Sequence, residues 1–203
     1  MNTEIECKYL NQDHNKIRDK VISLGAKLIH KERLMIRANY DYPDNRLAKE
    51  QSGWVRIRDE GDKITLSYKQ SDDSTLHGMQ EVNLQINSFE AAHEFLQAIG
   101  ITKKKAYQQT KRESWLLNDV QIELDTWPWL QPFVELEAPN EEALNKTIDQ
   151  LGFDKKDALH GSVIPAYQAE YDITPEEMAN WPEYSFDLPV PDWFKIRRIK
   201  QNK

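Results

Sequence analysis

Along the first ten residues the chain alternates. Glu4, Glu6 and Lys8 fall on one side and Ile5, Cys7 and Tyr9 on the other, the two-residue period of a strand. Over 13–24 the period lengthens: Ile17, Val21, Ile22 and Leu24 recur at helical spacing, with Asp13 placed to cap the helix and Gly25 to stop it. A long extended run over 27–42 ends at the turn residues Pro43-Asp44-Asn45. Two short alternating runs, 54–59 and 64–69, flank Glu60-Gly61-Asp62 and predict a hairpin with a glycine turn. A strand over 80–86 leads into a helix over 89–98 that ends at Gly100. Three further strands follow, over 105–117, 120–126 and 133–138, the first two joined through Asn118-Asp119. A helix over 141–151 comes next, with Asn140 as its cap and Gly152 as its stop.

The helices follow strands without the regular βαβ alternation of a parallel sheet, so the sheet should be mostly antiparallel and the class α+β. About eight strands is the number at which a barrel can close. After Tyr171 the texture changes. Pro175, Pro182, Pro189 and Pro191 punctuate a segment carrying Trp181, Trp193 and Phe194. This divides the chain into a main unit, 1–171, and a Pro/Trp-rich extension, 172–203, read as a short helix over 175–180 and then an extended tail. The extension has two readings: it docks on the barrel, or on a second copy in a homodimer.

Composition narrows the class. A chain of 203 residues with 39% hydrophobic and 30% charged residues fits a globular protein with a substantial core. No run approaches the ~18–20 apolar residues needed to cross a bilayer, and the N-terminus lacks the pattern of a secretory signal. The single cysteine, Cys7, excludes an internal disulfide framework. A cytoplasmic location with no membrane partner is the expectation. The net charge of −7 argues against nucleic-acid binding through general phosphate attraction, although such an average can hide a basic cavity.

The distribution of charge over the strand faces carries the chemistry. Arg56 and Arg58 share one face of the hairpin with Lys63 and Lys69, opposite Val55, Ile57, Ile64, Leu66 and Tyr68. Glu123 and Asp125 alternate with Ile122 and Leu124, and Glu135 and Glu137 with Val134 and Leu136. Many antiparallel sheets simply turn such a face to water. Here, however, acids gather on strands from the two ends of the chain and cations on the middle ones. A solvated face usually mixes signs, because like charges directly opposite one another are unfavourable. Gathered carboxylates suit a hard divalent cation such as Mg²⁺ or Mn²⁺, and facing Arg and Lys side chains suit a polyphosphate.

The motifs resemble those of a known family. Glu4-Ile5-Glu6-Cys7-Lys8 resembles the ExExK opening of CYTH-domain proteins, the triphosphate tunnel metalloenzymes. Tyr40-Asp41-Tyr42-Pro43 is similar to the family's tyrosine-aspartate-threonine-proline element, with Tyr42 in place of threonine. Trp54-Val55-Arg56-Ile57-Arg58 and Leu66-Ser67-Tyr68-Lys69 resemble its paired-arginine and lysine strands. Thr110-Lys111-Arg112-Glu113-Ser114-Trp115 is similar to the basic strand of thiamine-triphosphatase-like members, and Glu123-Leu124-Asp125 and Glu135-Leu136-Glu137 to the late acidic pairs.

The resemblance implies a closed antiparallel eight-stranded β-barrel with flanking helices and catalysis inside it. It implies that Glu4, Glu6, Glu135 and Glu137 hold the Mg²⁺ or Mn²⁺, with Glu123 and Asp125 adding ligands or orienting water. Lys8, Arg56, Arg58, Lys69 and Arg112 would cradle the phosphates. Catalytic importance then falls on Glu4, Glu6, Lys8, Arg58, Glu135 and Glu137. Members often add a basic residue from the C-terminal segment, for which His160 is the nearest candidate. Arg37 shares parity with Asn39 and Asp41 and receives less weight, because the family usually has an acid or amide near there.

The leading functional expectation is metal-dependent hydrolysis of a small-molecule triphosphate, either inorganic triphosphate or a nucleoside or thiamine triphosphate. The alternative within the family is a class IV adenylate cyclase, and a third reading is a non-catalytic polyphosphate-binding module. Trp54, Trp127 and Trp129 could stack a base, but such residues more often pack. Cys7, opposite Glu6 in parity, reads as a small core residue. His160-Gly161-Ser162 lacks the turn of a serine nucleophile. His14, His30, His77 and His93 show no ligand spacing and read as surface residues. The basic stretch 195–203 reads as a solvated tail.

Overall fold

A computed structural model describes residues 1–71 and 75–199. Its strands are β1 (Asn2–Tyr9), β2 (Lys27–Asp41), β3 (Gly53–Asp59), β4 (Ile64–Ser71), β5 (Met79–Ile86), β6 (Lys103–Leu117), β7 (Val120–Thr126) and β8 (Phe133–Ala138). They run in the order β2-β3-β4-β5-β1-β8-β7-β6, and β6 pairs back onto β2, so the sheet closes on itself. Each of these pairings is antiparallel. The fold is therefore the expected α+β architecture, a closed eight-stranded antiparallel barrel with flanking helices and one added strand.

The turns and helix ends follow from local chemistry. Gly61, at φ +90°, takes the left-handed corner of the β3–β4 hairpin, where Asp59 Oδ1 accepts its N–H at 2.8 Å. Helix α1 (His14–Ser23) starts at Asp13, whose carboxylate accepts from the backbone of Asn15 and Lys16. The short α2 (Arg46–Gln51) lies between β2 and β3. Helix α3 (Phe89–Ala98) is capped by Ser88, and α4 (Glu141–Leu151) by Asn140.

The barrel reverses the usual polarity of a sheet. Its apolar faces point outward, and much of them is covered: Cys7, Tyr9, Ile122, Leu124, Val134 and Leu136 pack with Ile17 and Val21 of α1 and Leu144, Ile148 and Leu151 of α4. On the other flank Ala38, Tyr40, Val55 and Ile57 pack with Ala92 and Leu96 of α3. Where helices cover the outer face, on β1, β3, β7 and β8, the alternating polar face turns to the lumen, while Val82 and Leu84 of β5 stay exposed outside. Glu6, Lys8, Arg37, Arg56, Lys69 and Glu123 are accordingly buried. Cys7 is a core residue, as its parity requires.

Helix α2 was not apparent in the pattern because it is too short to show a period, and it is nucleated from outside itself. The buried Asp41 carboxylate accepts from the N–H groups of Tyr42, Leu47 and Ala48, and ion-pairs with Lys105 at 2.9 Å. Beyond a 3₁₀ turn at Lys155–Asp157 come α5 (Ile164–Glu170), α6 (Pro175–Asn180), β9 (Glu183–Tyr184) and α7 (Asp192–Ile196). Only α6 was expected.

The tail is not simply extended. β9 pairs parallel to β6, and Trp127, Tyr167, Tyr171, Tyr184 and Phe194 share one aromatic cluster, so the extension docks on the barrel. Nor is the end of the chain a solvated tail as far as Ile199. Arg198 ion-pairs with the buried Glu170 at 3.2 Å, and the Ile199 N–H donates to the Glu170 carbonyl. Lys200 and Lys203 lie outside the described residues. Three of the expected surface histidines are also partly buried: His14 contacts the Phe133 carbonyl, His93 the Tyr40 hydroxyl, and His30 lies 3.6 Å from the Asp62 carboxylate. Among the described residues no helix is long and apolar enough to cross a membrane.

Candidate active site

The barrel encloses a cavity of about 860 Å³. Glu4, Glu6, Lys8, Arg56, Arg58, Lys69, Arg112, Glu123, Glu135 and Glu137 all line it. Of the expected metal- and phosphate-binding carboxylates and cations on the strands, Asp125 alone is not on the wall. It is 1% exposed and sits behind Arg112, which grips it in a fork at 2.7 and 2.5 Å. That geometry makes Asp125 a residue that orients Arg112.

Strand register explains the acidic wall. β1, β8 and β7 are neighbours, and Glu6 lies directly opposite Glu137, as Glu123 does opposite Glu135. Two like-charge pairs facing each other across strands are unfavourable unless cations intervene. Lys8 is one such cation. Its ammonium reaches Glu6 at 3.0 Å and Glu135 at 3.3 Å and donates to the Gly161 carbonyl at 2.5 Å. Burial alone would lower the Lys8 pKa, but Glu6 and Glu135 together raise it, so the ammonium stays charged. Arg112 contributes a second contact to Glu135 at 3.1 Å. Burial would raise the Glu135 carboxyl, but Lys8 and Arg112 outweigh it and hold that group low.

The other acids are less compensated. Burial raises the Glu137 pKa, and Glu135 and Glu6 push it further. Burial also raises Glu123, and its Oε2 is buried without a hydrogen-bond partner. Glu4 is raised chiefly by burial and by its contact with Glu81, and the two carboxylates share the Lys69 ammonium at 2.8 and 3.2 Å.

Facing these acids is a cationic wall. Arg56 contacts Glu81 at 3.1 Å, and Arg58 clasps Glu60. Arg37 also lines the cavity, only 7% exposed, as its parity with Asn39 and Asp41 allows, although the family resemblance favours an acid or amide near there. Glu60, Glu81 and Arg33 were missed altogether, yet all three line the cavity. The alternation of Glu81 and Asn83 with Val82 and Leu84 was the available signal for Glu81. Glu60 was read only as a turn residue. His160 is not on the cavity wall: its Nδ1 pairs with the Glu6 carbonyl at 3.2 Å, and the neighbouring Gly161 supplies its carbonyl to Lys8.

The donor chemistry fits a hard divalent cation. Glu6, Glu123, Glu135 and Glu137 offer only oxygen, and one of those oxygens is buried and unpartnered. Among the described residues no three acidic, His or Cys side chains already converge on a common point. Glu6 and Glu135 are held by Lys8 and Arg112, whereas Glu123 and Glu137 form no ion pair among the described residues.

Comparison with known proteins gives the same outline. The family model for the CYTH domain matches residues 2–162. The fold is shared with the PH1012 protein of Pyrococcus horikoshii, at 20% identity and a TM-score of 0.66 over 80% of this chain and 98% of that one. It is also shared with a candidate adenylate cyclase of Vibrio parahaemolyticus, at 17% identity and a TM-score of 0.67 over 82% and 98%. A third neighbour is HpAC1 of Hippeastrum, a candidate adenylyl cyclase described as revealing a dominant triphosphatase activity. It is 16% identical, with a TM-score of 0.52 over 82% and 95%. No curated protein matches the sequence.

Proposed function

This chain belongs to the CYTH domain family, and from that premise we propose that it is a divalent-metal-dependent triphosphatase working inside its barrel. The observation that carries the proposal is the division of one enclosed lumen into an acidic wall on β1, β7 and β8 and a cationic wall on β3, β4 and β6. Arg56, Arg58, Lys69 and Arg112 would bind phosphoryl oxygens, and Lys8 ties the acidic strands β1 and β8 together. Glu6, Glu123, Glu135 and Glu137 would hold Mg²⁺ or Mn²⁺, which when bound supplies positive charge for the phosphate oxygens.

Hydrolysis needs little from the protein beyond position and charge. A water attacks the terminal phosphorus, a P–O bond forms on one side, and the bond to the bridging oxygen breaks on the other. Diphosphate leaves, and the water's proton passes to a carboxylate. Glu123, whose buried Oε2 has no hydrogen-bond donor, suits that role. The guanidinium groups offset charge on the transferring phosphoryl and on the departing diphosphate.

The second reading is an adenylate cyclase, favoured by the assignment of the Vibrio neighbour. There the ribose 3′-hydroxyl would attack the α-phosphorus and expel diphosphate. Incubation with inorganic triphosphate, ATP and thiamine triphosphate under Mg²⁺ or Mn²⁺ separates the readings. Phosphate release from at least one substrate is expected. Cyclic AMP without free phosphate would replace the hydrolase by the cyclase, and tight binding without turnover would leave a polyphosphate-binding module.

A further inference from the structure

Arg37 is the least compensated cation of the lumen. It comes from β2, opposite Arg58 in the β2–β3 register, and among the described residues its only side-chain hydrogen bond is from Nη2 to Thr110 Oγ1 at 2.9 Å. Its Nε is buried without a partner, and among the described residues it forms no ion pair. Burial depresses its pKa, and Arg58, Arg56 and Arg112 depress it further, whereas Asp125, which acts against them, is already held by Arg112. The guanidinium lies over the indole of Trp127, 4.7 Å from the ring centroid, and Trp127 is itself packed edge-on against Tyr167.

A buried guanidinium beside three others, with an N–H aimed at no acceptor, is an unfavourable arrangement for a protein at rest. A structural arginine in such a place would be expected to carry a carboxylate. An anion entering the cavity would remove the cost, and a phosphoryl group matches the fork of donors. We propose that Arg37 is a further phosphate-binding residue of the lumen, with the indole of Trp127 serving as its platform and not as a surface for stacking a nucleobase. This rests on the triphosphate reading above and deepens it: Arg37 adds a contact to the polyphosphate chain from β2, which carries none of the phosphate-binding residues named above.

The test compares Arg37→Met and Arg37→Lys with the parent protein in two measurements. Calorimetric titration with a non-hydrolysable imido analogue of inorganic triphosphate, with Mg²⁺ present, should show affinity reduced at least 10-fold in Arg37→Met. Arg37→Lys should fall in between, because an ammonium keeps the charge and loses the fork. Thermal unfolding of the ligand-free proteins should show Arg37→Met to be no less stable than the parent. Unchanged affinity in Arg37→Met, or a marked loss of ligand-free stability, would overturn the assignment and make Arg37 a structural residue. If the parent itself fails to bind the analogue, the triphosphate reading falls, while the unfolding measurement still decides whether Arg37 is structural.

Discussion

Replacing Lys8 with methionine isolates the electrostatic role of the residue that joins the two acidic strands. Methionine fills nearly the same volume, so packing loss should be small. What disappears is an ammonium whose donors serve Glu6 at 3.0 Å, Glu135 at 3.3 Å and the Gly161 carbonyl at 2.5 Å, all in a setting where the Lys8 side chain is 5% exposed. Removing one member of a buried ion pair costs about 3–5 kcal/mol. A total near that range is expected here, because Glu135 keeps Arg112 while Glu6 loses its recorded cation. At roughly 2–4 °C per kcal/mol for a chain of this size, the midpoint of thermal unfolding should fall by about 6–20 °C.

The pH dependence checks the cause. A carboxyl held below its ordinary range, as Glu135 is, contributes stability above its unfolded pKa and loses that contribution as pH falls through the folded value. The variant lacks much of this contribution. The gap in urea unfolding free energy between parent and variant should therefore be full at pH 7 and shrink below the usual carboxylate range of roughly 4–4.5. A gap under about 0.5 kcal/mol at pH 7, or one unchanged under acid conditions, would refute the reasoning, since such values are those of an ordinary surface position.

Further expectations concern single side chains. Glu123→Gln should remove turnover while leaving urea stability at pH 7 equal or higher, because burial raises this carboxyl and its ionised form is penalised in the fold; a large destabilisation would contradict this. Glu113, which burial would raise but Arg18 and Trp115 hold low, should cost about 1–2 kcal/mol on replacement by Gln at pH 7, with the difference vanishing in acid. Cys7, pushed up to about 12 by burial, should resist thiol reagents at pH 8 until the protein unfolds, its thiolate fraction being on the order of 10⁻⁴. Rapid labelling of the native protein would place Cys7 elsewhere than the core.

The barrel was legible because its strands alternate cleanly and because β3–β4 and β6–β7 turn at short, recognisable loops. Parity correctly separated Cys7 from Glu6 and Val55 from Arg56, and so put the charged set on one face. Periodicity alone could not say whether that face met water or a lumen. That depends on β6 returning to β2, a pairing between residues far apart in the chain such as Arg37 and Gln108. Nor could it show how charges would pair within the lumen: the Asp125–Arg112 fork and the Lys8–Gly161 contact depend on side-chain direction and on a distant segment. Helix α2 and the docked extension were hidden for a related reason. Both are short pieces stabilised by partners elsewhere, Asp41 for α2 and the aromatic cluster around Tyr167 for the extension.

A crystal structure of the protein with a non-hydrolysable imido analogue of inorganic triphosphate and Mn²⁺ would examine the lumen directly. The phosphoryl oxygens should lie within hydrogen-bond distance of Arg56, Arg58, Lys69 and Arg112, with an anomalous manganese peak beside the carboxylates of β1, β7 and β8. An analogue bound only on the outer surface, with the Lys8–Glu6 and Lys8–Glu135 contacts undisturbed and no manganese in the cavity, would contradict the account.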